Sequence, residues 1–130
     1  MKKVKVVAAI IKDKNQLLIA KRHSKDPLAG KWEFPGGKLE TGETPEQCLE
    51  REIKEELRAE VEIGNFYDDN VYISKDQAIH LLFYWAQVVN GDVTPVVHDE
   101  IKWITVNELA DFDFAPADVP IVKRLERENL

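Results

Sequence analysis

A single cysteine in 130 residues is the first scarcity. Cys48 has no partner for an internal disulfide, and its position inside an acidic stretch reads as a small buried residue rather than a nucleophile. Long hydrophobic runs are also lacking. No stretch approaches the roughly 18 apolar residues that a membrane span requires, which excludes the bilayer as the solvent for this chain. Positive charge is in deficit: 18 Lys and Arg face 24 Asp and Glu, for a net charge of −6. The field of the whole protein therefore does not attract nucleic acid polymers, and an anionic ligand would need a local cation. There is no internal repeat and no low-complexity linker, so residues 1–130 are expected to form one domain with its own core. The opening MKKVKVVAAIIKDKNQ has a basic start and an apolar continuation, as a secretory leader does. Its apolar part is short, broken by Lys5 and without a cleavage site, so it reads as a first strand of a cytoplasmic protein.

What is present begins with strand signals. Residues 4–11 (VKVVAAII) and 17–20 (LLIA) flank the polar turn KDKNQ and predict a hairpin. KWEF predicts a short strand that ends where Pro35-Gly36-Gly37 turns the chain. Thr44-Pro45-Glu46-Gln47 predicts a capped helix start with proline in the first turn. Beyond it Leu49, Ile53 and Leu57 make an apolar stripe every four residues. Further strands are expected at 59–63, 66–73, 79–89 and 101–105, with Asn90-Gly91 as a hairpin turn leading into DVTPVV. Thr105 and Glu108 suit a second capping box, and VPIVKRLEREN a last helix over 119–129. Mixed strands flanked by helices give an α/β or α+β sandwich.

The informative segment is FPGGKLETGETPEQCLEREIKEEL, which contains Glu40, Glu43, Glu46, Glu50, Glu52, Glu55 and Glu56. Glu52, Glu55 and Glu56 stand at i, i+3 and i+4, on one helix face about a turn long. Like charges so placed repel. A solvated acidic face is the plainer reading of the spacing; the alternative is a hard divalent cation such as Mg²⁺, which takes oxygen ligands and retains waters for a phosphorylated substrate. The preceding Gly36-Gly37 fits the cation, because glycine lets backbone approach an ion closely. Lys38 and Arg22 could supply positive charge for phosphate oxygens.

Residues Gly37, Glu43, Arg51, Glu52, Ile53, Glu55, Glu56 and Ala59 resemble the Nudix box, G-x5-E-x7-R-E-U-x-E-E-x-G-U with U apolar. Six fixed matches in register arise by chance about 10⁻⁷ times per starting point at roughly 7% per residue type, so coincidence is a poor explanation. One position departs: Arg58 stands where the box has its late glycine, at a left-handed turn that a Cβ makes less comfortable by about 1 kcal/mol, so the helix end is expected to differ. The frame VVAAII, LLIAKR, KWEFPGGKLE and FAPADVP is similar to the MutT branch of that family. The resemblance implies a Nudix α/β/α sandwich around a mixed sheet. It also implies metal-dependent cleavage of a nucleoside triphosphate to monophosphate and pyrophosphate, with 8-oxo-dGTP first and CTP or a 5-substituted dCTP second.

By the same resemblance, Mg²⁺ (Mn²⁺ as a substitute) would be held by Glu52, Glu55, Glu56 and the Gly36 carbonyl, with Glu52 also the general base. Arg51 would orient the cluster by pairing with acidic neighbours such as Glu43. Arg22 and Lys38 would meet phosphate, Phe34 would border the nucleobase, and Asp118 would either read the base or cap the last helix. In many relatives a further Glu lies six residues before a strand Trp. Here that count reaches Val97, which cannot ligate, leaving His98, Asp99, Glu100 or water to substitute. His23 and His80 lack ligand-like spacing, and Trp32, Phe83, Tyr84, Trp85 and Trp103 read as core. The partner is a free nucleotide, with no nucleic acid polymer and no membrane, and the chain a monomer or homodimer. The rival readings are a hydrolase of nucleotide sugars, ADP-ribose or capped RNA, a nucleotide-binding regulator without catalysis, and an interaction module using the acidic face.

Overall fold

A computed structural model describes residues 1–128. The order is β1 (Lys2–Asp13), β2 (Gln16–Lys21), β3 (Trp32–Glu33), β4 (Gly36–Lys38), α1 (Pro45–Leu57), β5 (Glu60–Ser74), β6 (Gln77–Asn90), β7 (Glu100–Thr105), a 3-10 turn (Val106–Asp111) and α2 (Val119–Glu128). Asn129, the last residue of the expected final helix, lies outside the described residues. No helix among them is long and apolar enough to cross a membrane.

Strand β1 organises the sheet because both of its faces are apolar. Val7, Ala9 and Ile11 join Leu49, Ile53 and Leu57 of α1 in one core, while Ala8 and Ile10 join Ile121, Val122 and Leu125 of α2 in the other. A strand buried on both sides reads as an unbroken aliphatic run rather than an alternation, which is what VVAAII is. The helices therefore cover opposite faces of a mixed sheet, as expected. β1 runs parallel to β6 from Lys2↔Gln77 to Ile11↔Ala86, and β6 is antiparallel to β5. The predicted β1–β2 hairpin pairs only at Lys12↔Leu17 and Asp13↔Gln16, after which β2 diverges to pair with β3 and β7.

Three local expectations are corrected. Gly36-Gly37 does not simply turn the chain: Gly36–Lys38 is β4, antiparallel to Val6–Ala8 of β1. The strands expected at 59–63 and 66–73 are one strand, β5, kept in the ladder by bulges near Ile63 and Phe66. Asn90-Gly91 does turn, with Gly91 at φ +87, but no strand follows it. The chain after it instead donates from Thr94 N–H to Leu57 O and from Val96 N–H to Glu56 O, both at 2.9 Å, satisfying carbonyls at the end of α1.

Candidate active site

Helix α1 is fixed at both ends. Thr44 Oγ1 accepts from Gln47 N–H at 3.1 Å, Gln47 Oε1 accepts from Thr44 N–H at 3.0 Å, and Pro45 follows in the first turn. Burying Cys48, Leu49, Ile53 and Leu57 rotates Glu52 and Glu56 to the margin of the core, with side chains 15% and 16% exposed, whereas Glu55 at 62% reaches solvent. The helix end does not differ as expected. Arg58 itself takes the left-handed conformation (φ 56, ψ 30) and donates its N–H to Lys54 O, so the turn survives without glycine at a strain of about 1 kcal/mol.

Close approach is what demands both glycines before the helix. A Cβ on Gly36 would overlap the Val7 carbonyl of β1, and one on Gly37 would overlap the Glu52 carboxylate. Strand β4 thus brings backbone directly against the glutamate face of α1. Cys48 lies behind it, buried and free, with Sγ near Gly37 O and Lys38 O, and burial together with Glu43 pushes its thiol up to about 11. A thiol so placed is a packing group.

Arg51 clasps the acidic residues outside the helix stripe. Its Nε and Nη2 donate to the two oxygens of Glu43 at 2.7 and 3.0 Å, and its Nη1 donates to Glu52 Oε1 at 2.7 Å and stands 3.6 Å from Glu55. The Arg51 hydrogen bonds, helped by the Glu40 N–H, hold Glu43 down to about 2. Glu56 has no such clasp. The basic group within ion-pair range of it is His98 Nε2, at 4.0 Å. Burial first, then the Glu52 hydrogen bond and the charges of Glu52, Glu33 and Glu55, pushes its carboxyl up to about 9.

As the side chains stand, no three His, Cys, Asp or Glu groups among the described residues converge as ligands around one point. Arg51 draws on Glu52, and Glu55 extends outward. The donor set nevertheless fits a divalent cation: the oxygens are hard, and a buried carboxyl crowded by three others lacks counter-charge.

A cleft of about 830 Å³ opens beside Glu56 and holds Arg22, Phe34, Gly36, Lys38 and Asp118 on its walls. Glu52, Glu55, Arg51 and Glu43 do not line it; they flank Glu56 along the helix and the loop before it. Arg22 is held by Asp26 through Nε and Nη2 (3.0 and 2.7 Å) and by Glu33 through Nη1 (2.6 Å). Phe34 is buried between Phe83 and Phe114, with ring centroids 6.3 and 5.8 Å away. Its backbone N–H donates to Asp118 Oδ2 at 3.0 Å, across 84 positions of sequence. The hydrogen bond of the Asp118 side chain goes to Phe34 N–H rather than to the first turn of α2, whose Ile121 and Val122 N–H groups donate to the Asp118 backbone carbonyl, so the helix-cap alternative is not the one its side chain takes. Only 4% exposed, its carboxyl is pushed up to about 8 by burial, with the Phe34 N–H opposing and Glu33 adding to the rise.

Glu33 and His98 join this site by position. Glu33 was read only as part of a strand; its one signal was a charge between the buried aromatics Trp32 and Phe34. His98, one of the alternatives to Val97, turns its side chain inward, 2.9 Å from Glu33 Oε2. His80 is not in the cleft and pairs with Asp69 at 2.7 Å.

The model of the NUDIX domain matches residues 1–125. The chain belongs to the Nudix family. Among its Nudix relatives, it is 34% identical to the CTP pyrophosphohydrolase of Escherichia coli K12, over 95% of this chain and 91% of that one. It is 33% identical to the 8-oxo-dGTP diphosphatase of the same strain, over 98% of this chain and 99% of that one. The solution structure of the E. coli ORF135 protein superposes with a TM-score of 0.83 at 34% identity, covering 95% of this chain and 88% of that one. This Nudix chain is a hydrolase of phosphoric anhydrides.

Proposed function

We propose that this protein is a Mg²⁺-dependent pyrophosphohydrolase of free nucleoside triphosphates, releasing monophosphate and pyrophosphate. The observation that carries the reading is one cleft lined by Glu56, a carboxyl short of counter-charge with Glu52 and Glu55 beside it on the helix, and by Phe34 and Asp118. Glu52, Glu55, Glu56 and the Gly36 carbonyl would hold the cation, which when bound would neutralise phosphate charge and lower the pKa of water. Glu52 accepts the proton of the attacking water, and Arg51, braced on Glu43, orients Glu52. Arg22 and Lys38, both on the walls of the cleft, contact the phosphates.

The base assigned first is 8-oxoguanine, supported by the similarity to the E. coli 8-oxo-dGTP diphosphatase. Cytosine is the second reading, and the state of Asp118 favours it. A carboxyl group that keeps its proton up to about pH 8 offers a donor beside an acceptor, which matches the N3 and N4 edge of cytosine. The N1 and N2 donors of a guanine-type edge instead call for the ionised form. The test is kcat/KM with Mg²⁺ for 8-oxo-dGTP, dGTP, CTP and 5-methyl-dCTP at pH 7 and pH 9, with products identified. A tenfold lead for 8-oxo-dGTP, about 1.4 kcal/mol of transition-state preference, supports the first assignment, and the same lead for cytosine nucleotides the second. No turnover of any of them refutes the nucleotide reading.

A further inference from the structure

His98 looks at first like a replacement metal ligand, since its ring faces both Glu33 and Glu56. Its surroundings argue for another role. The residue is pinned on both sides, by Val96 N–H to Glu56 O and by Asp99 N–H to Lys21 O at 3.1 Å, and its side chain is 5% exposed. Nε2 lies 2.9 Å from Glu33 Oε2, while Nδ1 is buried without a hydrogen-bond partner. A ligating imidazole normally donates its second N–H to an outer acceptor, which fixes the tautomer. If Nε2 turned its lone pair to a cation, the ring proton would sit on Nδ1, where no acceptor waits; a buried donor left unmade is costly. With the proton on Nε2 the unsatisfied group is an acceptor, which proteins tolerate better.

Glu33 is then engaged at both oxygens, by Arg22 Nη1 at Oε1 and by His98 at Oε2. Arg22 is held between Glu33 on β3 and Asp26 on the loop that leads from β2 to β3. Remove the His98 bond, and both Glu33 oxygens become available to Arg22. A bidentate pair would draw the guanidinium onto β3 and away from an anion in the cleft.

We infer that His98 is a positioning residue that sets Arg22 for substrate through Glu33 and does not ligate the metal. The inference rests on the nucleotide reading for its kinetic consequence. His98→Leu is expected to raise KM for 8-oxo-dGTP and CTP about tenfold, with kcat within about threefold and Mn²⁺ affinity by titration calorimetry within about twofold. His98→Gln, whose amide can donate near the place of Nε2, should recover most of the loss. Combined with Glu33→Gln, His98→Leu should add little further. A tenfold loss of Mn²⁺ affinity in both variants, a fall in kcat at unchanged KM, or full additivity with Glu33→Gln would overturn it. Nitrogen-15 NMR of the wild-type ring decides the matter without turnover, or if the leucine variant does not fold. A proton on Nε2, unmoved by Mg²⁺, is the expected result; a proton on Nδ1 with Nε2 shifting on addition of Mg²⁺ would refute it. Absent turnover of both nucleotides by the wild type would condemn the nucleotide reading alone.

Discussion

Two groups of acids, one in the cleft and one beside it, are treated in opposite ways. Glu43 and Glu52 receive Arg51, are hydrogen-bonded, and Glu43 is held well below its usual range. Glu56, as exposed as they are, and the deeper Asp118 have no arginine among their hydrogen-bond partners and are pushed above theirs. The fold spends its own cation on the acids that brace the loop against the helix. It leaves Glu56 and Asp118 to whatever enters the cleft. Stability and activity should therefore respond oppositely to change in the two groups.

The largest effect is expected on turnover. Glu52→Gln or Glu56→Gln should lower kcat by about 10³ with Mg²⁺, yet Glu56→Gln should melt higher than the wild type without metal, because an uncompensated buried acid has gone. Equal melting losses in both variants would erase the contrast between the two groups. Mg²⁺ itself comes next: at about 100 times its Kd it should stabilise the wild type by roughly 2.7 kcal/mol, and Glu56→Gln should abolish most of that gain, as read by thermal melting.

The pH dependence follows with its sign. Asp118 and Glu56 bind protons more tightly folded than unfolded, so their contribution is full below the ordinary carboxyl pKa and is lost as pH rises towards about 8 and about 9. Metal-free stability should therefore fall as pH rises from about 5 towards about 8 and about 9. Asp118→Asn should flatten the part below pH 8, checked by denaturant titration across that range. Glu43 acts in reverse: its contribution is present above the ordinary carboxyl pKa and disappears as pH falls towards 2. The smallest effect is Arg51→Met, which should lower the melting temperature by only a few degrees at neutral pH, since the pairs it makes are partly solvated.

Much of this division was legible in the sequence because it is local. The capping box at Thr44–Gln47, the stripe Leu49-Ile53-Leu57 and the spacing of Glu52, Glu55 and Glu56 all lie within one helix and the loop before it. The aliphatic run VKVVAAII marked a strand, though its burial on both faces became visible only with α1 and α2 in place. What failed depended on distant neighbours. Gly36-Gly37 carries the composition of a turn, but its glycines answer to Val7 and Glu52 across β1 and α1. Asn90-Gly91 has hairpin composition, yet the chain beyond it finds free carbonyls at the end of α1 before it finds a strand. Arg58 was expected to alter the helix end, but those same tertiary bonds outweigh its backbone preference. Glu33 and His98 meet across 65 positions, and nothing in either neighbourhood alone signals the meeting.

The parallel pairing of β1 with β6 also bears on how the chain is made. The first strand carries the aliphatic run VVAAII, and its long partner begins at Gln77 and pairs with it as far as Ile11↔Ala86. During synthesis β1 therefore emerges first and waits for about 75 residues before that partner exists, with α1 able to cover only one of its faces. Chains halted short of β6 would expose a sticky, unpaired edge, and the second apolar face of β1 stays open until α2, the last element made, packs against it.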